Sequence, residues 1–340
     1  MGESTRRIAL VGSWADAIDD RRSVAAELAV AWGSVDHVSV FADAPSSMHD
    51  RLTTLGVSRW PEGAFGCHFT RDDFDHAVVM LGARLDSILA LGRSADEGCH
   101  VWLQDDVVDV DGSPIDAPDY WLADVIASAR SVIVGSDWVA GVVRRLSPEG
   151  PPVLVMPPAH PHVDPVVDTP HRTVVVVSDD DAVHQYLADL WSHDASVHIV
   201  RLDDTEMTSD VREARLLSTR AAVKIRSSER GYASTTVTHM TARGIPTITN
   251  LTAHAPFAGD DLVASGLLVV DHDDQMLDRV VAALTPILDD DRLWLAASTA
   301  AKATAARWTW ADAADVLSQW IGVVDDLEPS TVRVVGAVAP

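Results

Sequence analysis

Short apolar runs alternate along the first half of the chain with longer stretches whose apolar residues recur at helical spacing. The apolar runs predict strands at 7–12, 35–42, 75–81, 99–104 and 131–135. The stretches between them predict helices at 19–32, 84–92, 119–130 and 137–146. Strands that alternate with helices in this way are typical of a parallel sheet that helices cover on both faces.

A proline-rich stretch at 157–170 interrupts this pattern, and its five prolines exclude a continuous helix. The pattern then restarts with TVVVVS at 173–178, whose β-branched residues suit a central parallel strand. Further strands are predicted at 196–201, 221–226, 246–250 and 266–270, with helices between them. We therefore expect two doubly wound, Rossmann-like α/β domains, 1–160 and 171–307, that face each other across a cleft. Such folds bind ligands at the carboxyl ends of their strands.

Composition narrows the range of partners. The 340 residues suffice for two domains, and 51 acidic against 26 basic residues give a net charge of −25. A field this negative disfavours nucleic acid and anionic membrane surfaces, and an anionic ligand needs a local basic pocket. Two cysteines, Cys67 and Cys99, support neither a disulfide framework nor a CxxC zinc site. The chain shows no secretory signal and no apolar run near ~18 residues, so we expect a cytoplasmic protein.

The most informative segment for chemistry is 221–250. A predicted strand ends at Arg226, a polar turn follows, and a helix begins around 234–236 and ends at Gly244. A helix that starts with Ser and Thr after a glycine turn offers backbone N–H groups and the positive end of its dipole, which suits a diphosphate. Lys224, Arg226 and Arg230 are concentrated here in an otherwise acidic chain. The alternative is an ordinary βαβ unit with solvent-facing basic residues.

Three short motifs in this segment carry a resemblance to a known family: Ile225-Arg226, Gly231-Tyr232-Ala233-Ser234 and Ala242-Arg243-Gly244-Ile245-Pro246. They resemble the donor-binding part of bacterial GT-B glycosyltransferases of the retaining kind grouped as family 4. FAGDDL at 257–262 and the helical stretch 288–321 resemble later parts of the same family. Segments 74–91, 100–108 and 131–143 resemble its N-terminal half more loosely.

The resemblance implies a fold and an activity. The fold is GT-B, with a C-terminal helix at 308–325 that crosses back to the N-terminal domain. The activity is transfer of a hexose from a nucleotide diphosphate sugar to a hydroxyl on a glycan or small molecule, in bacterial glycan or glycoconjugate biosynthesis. Retention of configuration is implied by the family alone. The scheme needs no metal and no further cofactor, because cationic side chains and the helix dipole stabilise the departing diphosphate.

The resemblance and the cation-rich segment together give a set of candidate site residues. The expected catalytic residues are Arg226 and Lys224, which stabilise the diphosphate, and Gln104 and Asp105, which position the acceptor or the transferring sugar. The expected nucleotide-sugar-binding residues are Gly231, Ser234, Thr235, Thr236, His239, Glu229, Gly12 and Ser13.

The sequence also departs from the family. The two positions of the family's Glu-x7-Glu pair are filled by Gly231 and His239, and Gln104 replaces a histidine. A histidine can still hydrogen-bond a ribose hydroxyl. These departures keep a second hypothesis open, a catalytically inactive GT-B partner subunit of another transferase; a nucleotide-sugar epimerase is a third. The assembly partners left open are a second copy of the chain and another transferase.

Two weaker patterns receive structural interpretations. Asp109 and Asp111 form a DxD sequence of the kind that binds a metal in other transferases, but aspartate is abundant here and a polar turn is the simpler interpretation. His160, His162 and His171 lack the spacing of a helical metal site. We expect these three histidines to be solvated linker residues.

Overall fold

The computed structural model describes residues 6–12, 24–33, 36–41, 57–60, 73–81, 99–103, 119–161, 172–202, 215–227 and 233–327. The chain divides into two compact units. The first comprises Met1–Pro157 together with Trp310–Ala339, and the second comprises Pro158–Thr309.

The first unit contains a parallel sheet. Its described strands are β1 (Arg7–Gly12), β2 (His37–Phe41), β3 (Ser58–Trp60), β4 (His76–Leu81), β5 (His100–Leu103), β6 (Ser131–Val134) and β7 (Val153–Val155). They run in the order β3-β2-β1-β4-β5-β6-β7. Its described helices up to this point are α1 (Val24–Trp32), α2 (Asp119–Ser128) and α3 (Asp137–Leu146). Every residue of β4, β5 and β6 is buried, as expected for strands covered on both faces.

The second unit contains a parallel sheet of its own. Its described strands are β8 (Arg172–Ser178), β9 (Val197–Arg201), β10 (Thr219–Ile225), β11 (Thr247–Thr249) and β12 (Leu267–Val269). They run in the order β12-β11-β10-β8-β9. The described helices are α4 (Asp181–Leu190), α5 (Thr235–Ala242), α6 (Leu262–Ser265), α7 (Met276–Asp289) and α8 (Asp291–Ala305). Helix α5 stops before Gly244, whose φ of 76° and close approach to Lys302 suit glycine alone.

The last described helix, α9 (Trp310–Asp326), belongs to the first unit. Its Ser318 hydroxyl accepts a hydrogen bond from the Trp32 indole N–H on α1 at 2.8 Å. The Ser318 carbonyl accepts another from the Arg6 guanidinium at 3.0 Å. Its buried face includes Leu317, Trp320 and Ile321. The C-terminal helix is thus held by both apolar packing and directed polar contacts. Within the described residues, no helix is long and apolar enough to cross a membrane.

Two doubly wound parallel sheets confirm the predicted α/β fold class. Sequence reasoning did not assign β3 or β7 as strands. Each is three residues long, and β7 lies between prolines at 151–152 and 157–158, which made it resemble the start of the linker. The predicted helix at 84–92 and the DxD sequence at Asp109–Asp111 lie outside the described residues.

Candidate functional site

The carboxyl edge of the second sheet collects the polar residues of interest. Strand β8 lies between β9 and β10, and the chain adds β9 on one side before it adds β10, β11 and β12 on the other. Such a reversal of strand order is the point where open α/β sheets bind ligands. Asp179 follows β8 at this point, and Arg226 follows β10.

The backbone of Arg226 is fixed by the buried side chain of Asn250, which follows β11. The Arg226 N–H donates to Asn250 Oδ1 at 3.0 Å, and Asn250 Nδ2 donates to the Arg226 carbonyl at 2.8 Å. Asn250 Nδ2 also lies 3.1 Å from Nδ1 of His272, which follows β12. Residues after three neighbouring strands are thereby tied together. The Arg226 side chain itself is 40% exposed, so its guanidinium can meet a ligand.

The start of helix α5 lies at the same edge. Ser234 occupies the N-cap position in extended geometry, but its hydroxyl makes no capping hydrogen bond. Within the described residues, the backbone N–H groups of Thr235 and Thr236 have no hydrogen-bond partner. The first amides of a helix point outward along the positive end of its dipole and bind anions. The start of α5 therefore presents two backbone N–H donors that suit an anion.

His254 holds this helix start in place. The Ser234 N–H donates to His254 Nε2 at 2.9 Å, so that nitrogen carries no proton. His254 is fully buried in a single 3₁₀ turn, and burial, with a smaller contribution from nearby His160, lowers its pKa to about 3. A neutral imidazole is the form that can accept from Ser234. Sequence reasoning missed this residue, since no local motif marks it.

His160 corrects an expectation from the sequence. It is buried rather than solvated, and its Nδ1 lies 3.0 Å from the Trp308 carbonyl, which also accepts from the His160 backbone N–H. Its ring meets Phe257 edge to face at 5.9 Å. Burial lowers the pKa of His160 to about 4, against the opposing effect of the Trp308 hydrogen bond. The linker prolines suggested solvent exposure, but the apolar partners come from distant sequence. His162 and His171 lie outside the described residues.

The remaining candidates differ in placement. Lys224 is buried within β10, two residues before Arg226 in the chain. Thr235 and Thr236 open helix α5 after Ser234, and His239 lies one turn later on that helix. His239 Nε2 accepts a hydrogen bond from Nε of the buried Arg243 at 2.8 Å.

The remaining candidate residues lie either on the first sheet or outside the described residues. Gly12 ends β1 opposite Met80 of β4, at the carboxyl edge of the first sheet. Ser13, Gln104, Asp105, Glu229 and Gly231 lie outside the described residues. The structure therefore gathers Arg226, Ser234, Thr235 and Thr236 at one edge of one sheet. In the part of the chain that is described, no group of three or more His, Cys, Asp or Glu residues has the arrangement of a metal site.

No protein-family model matches the sequence, and no curated protein matches it significantly. Solved structures do match the fold. HepE of Anabaena, in complex with UDP and glucose, has a TM-score of 0.58 and 10% identity over 95% of this chain and 100% of its own. Sucrose-phosphate synthase of Thermosynechococcus elongatus has 0.59 and 12% identity over 94% and 99%. MnaA of S. aureus with UDP has 0.54 and 11% identity over 98% and 100%. The chain has the two-domain GT-B architecture.

Proposed function

We propose that this chain is a glycosyltransferase that binds a nucleoside diphosphate sugar at the carboxyl edge of its second sheet. The observation that carries the proposal is that Arg226 and the start of α5 both lie at the carboxyl edge of that sheet, beside the reversal of its strand order. The guanidinium supplies a full positive charge on a fixed backbone. The amides of Thr235 and Thr236 supply two further donors to an anion.

This arrangement suits the chemistry of sugar transfer. As the glycosidic bond to the diphosphate breaks, negative charge grows on the leaving phosphate oxygens. Donors that are already oriented toward that charge stabilise the transition state with little reorganisation. Arg226 and the helix start would act in this way, and Lys224 would add positive charge at the end of β10.

The structural neighbours indicate which donor to try first. HepE is seen with UDP and glucose, and MnaA with UDP, so UDP and UDP-glucose are the first probes. The resemblance to family 4 is the sole support for hexose as the sugar, retention, metal independence and a role in bacterial glycan biosynthesis. In that scheme His239 contacts the ribose, Glu229 and Gly231 line the nucleotide site, and Gly12, Ser13, Gln104 and Asp105 lie beside the sugar or the acceptor hydroxyl.

The catalytically inactive partner subunit remains the second candidate, and one contact favours it. His239 occupies the position from which the family's glutamate holds the ribose, yet its Nε2 already accepts from Arg243, the residue that follows the same helix. A nucleotide must then be held through the other ring nitrogen of His239 or by other groups.

The test is a thermal-unfolding screen with UDP, ADP, GDP and their sugars, followed by assays of sugar transfer and donor hydrolysis. Ligand at about 100 times its dissociation constant stabilises a fold by roughly 2.7 kcal/mol. We expect one nucleotide to stabilise the native chain and Arg226→Ala to lose most of that effect. Arg172→Ala is the matched control, because Arg172 lies at the opposite end of β8, where it pairs with Asp194 and Asp289.

Three outcomes separate the hypotheses. Stabilisation with turnover supports a transferase. Stabilisation without turnover on any acceptor supports the inactive partner subunit. No stabilisation by any nucleotide, or equal stabilisation of the Arg226→Ala variant, contradicts the proposed donor site.

A further inference from the structure

An acidic side chain stands beside the proposed phosphate-binding arginine. Asp179 follows β8, and its Oδ2 lies 3.6 Å from Nη1 of Arg226. Its other carboxylate oxygen, Oδ1, accepts the Ser227 backbone N–H at 2.7 Å. The two side chains are 33% and 40% exposed. The carboxylate is thus anchored by one oxygen and faces the guanidinium with the other.

The neighbouring acidic residue, Asp180, makes different contacts from Asp179. Asp180 Oδ1 accepts the Ala182 N–H at 2.9 Å and caps helix α4. Capping by Asp or Asn is a common structural role at a helix start. Asp179 takes no part in that cap, and both of its described contacts are to the segment that follows β10.

We propose that Asp179 is an affinity-determining residue of the donor site, because its carboxylate competes with the ligand's phosphate groups for Arg226. This inference rests on the proposed function. Carboxylate and phosphate oxygens bind the same donors of a guanidinium, so the two cannot share them fully. A diphosphate that binds Arg226 must either displace the Asp179 carboxylate or bind against the electrostatic repulsion of that carboxylate.

The strength of this competition follows from exposure. An ion pair between half-exposed side chains is weak, so a diphosphate, which also binds the helix amides, can displace Asp179. The competition lowers the affinity for the ligand without blocking its binding. Removing the charge while keeping the shape should therefore tighten binding, which is the opposite of the usual effect of altering a binding-site residue.

The experiment is calorimetric titration of the full chain with UDP and with inorganic pyrophosphate. The Asp179→Asn variant keeps an oxygen that can accept from Ser227, and we expect it to bind both probes about two- to fivefold more tightly than the native chain. Asp180→Asn is the matched control and should bind as the native chain does, because an asparagine can still cap α4. In an Arg226→Ala background, Asp179→Asn should give no gain, since the competition acts through the guanidinium.

The outcomes distinguish this inference from the function on which it rests. Equal or weaker binding of UDP by Asp179→Asn overturns the inference and leaves the donor site standing. A gain that persists in the Arg226→Ala background overturns it as well, because the carboxylate then acts by general repulsion. Failure of UDP and pyrophosphate to bind both the native chain and Asp179→Asn overturns the inference and the proposed function together.

Discussion

Two sheet edges in this chain gather buried polar side chains, and they use them differently. At the amino edge of the first sheet, His100 Nδ1 lies 2.8 Å from the Ser131 hydroxyl, which accepts the Trp320 indole N–H at 3.0 Å. His76 and Arg130 both meet Asp325. Trp320 and Asp325 belong to α9, so this edge serves to hold the C-terminal helix.

At the carboxyl edge of the second sheet, the buried polar side chains hold backbone instead. Asn250 fixes residue 226, and His254 fixes residue 234. The Arg226 guanidinium and the first amides of α5 lie beyond these fixed points. Both edges thus contain buried polar side chains. Those of the first sheet bond to a helix, and those of the second sheet bond to backbone groups beside the proposed donor site.

The largest expected effect is at the amino edge of the first sheet, which holds α9. Trp320→Ala removes a buried ring and its hydrogen bond to Ser131, and it should lower the free energy of unfolding by about 3–5 kcal/mol. Chemical denaturation measures this loss. Trp320→Phe keeps most of the packing and should cost far less. The folded fraction should bind UDP as before, and a changed affinity would show that the two edges are coupled.

Acid should weaken the second unit through its buried histidines. The folded-state pKa values of His160 and His254 are lowered to about 4 and about 3, from 6.5 in the unfolded chain. Between pH 6.5 and these values the unfolded chain binds protons that the folded chain does not, so stability falls as the pH falls. The loss approaches about 1.4 kcal/mol per pH unit for each histidine.

Thermal unfolding at pH 7 and pH 5 measures this acid effect. His160→Gln should flatten the dependence, since it removes one of the two described histidines whose pKa is lowered to about 4 or below. Replacement of the exposed His198 by Gln is the control, because it leaves both buried histidines in place. A dependence that is identical in all three proteins would contradict the account of His160.

At the carboxyl edge of the second sheet, we expect a substitution to have a smaller effect on stability and a specific effect on UDP binding. Asn250→Ala removes the hydrogen bonds that fix residue 226 and should lower the free energy of unfolding by about 1–3 kcal/mol. It should also weaken UDP binding, because the Arg226 guanidinium loses its fixed base. Calorimetry measures the affinity. Thr249→Val, which alters a buried neighbour whose hydroxyl accepts the Leu251 N–H, should lower stability without weakening UDP binding.

The smallest expected effect concerns α9, the helix held by the amino edge of the first sheet. A Cβ at Gly322 of α9 would meet no atom within 4 Å, and Gly322 has no positive φ. Gly322→Ala should therefore raise the free energy of unfolding by roughly 0.5–1 kcal/mol, since glycine weakens a helix interior. Gly141→Ala in α3 is an equivalent substitution. Destabilisation by either change would contradict the described helix packing.

Local patterns in the sequence were enough to predict most of the fold. The valine run of β8 and the helix α3, predicted at 137–146 and found at Asp137–Leu146, are set by residues close together in the chain. Gly244 marked the end of α5 for the same reason. The short β7 was missed because its strand character comes from pairing with β6 rather than from its own length.

The candidate site could be predicted only in part. Arg226 and the Ser and Thr residues at the start of α5 are adjacent in sequence, and their residue types indicate an anion site. Asn250 and His254 were missed because each holds the backbone of a residue that lies 24 or 20 positions away in the sequence. Nothing in the segment around either residue encodes such a pairing. His160 was misjudged for a similar reason, because its partner Trp308 is 148 residues away.

The most direct test of the donor site is a crystal structure of the chain with UDP. The account predicts phosphate oxygens within hydrogen-bond distance of the Arg226 guanidinium and of the Thr235 and Thr236 backbone N–H groups. It also predicts that the Asp179 carboxylate is turned away from Nη1 of Arg226 while Asn250 keeps its bonds to residue 226. UDP bound at any other edge of either sheet, with the Asp179–Arg226 pair intact, would contradict the account.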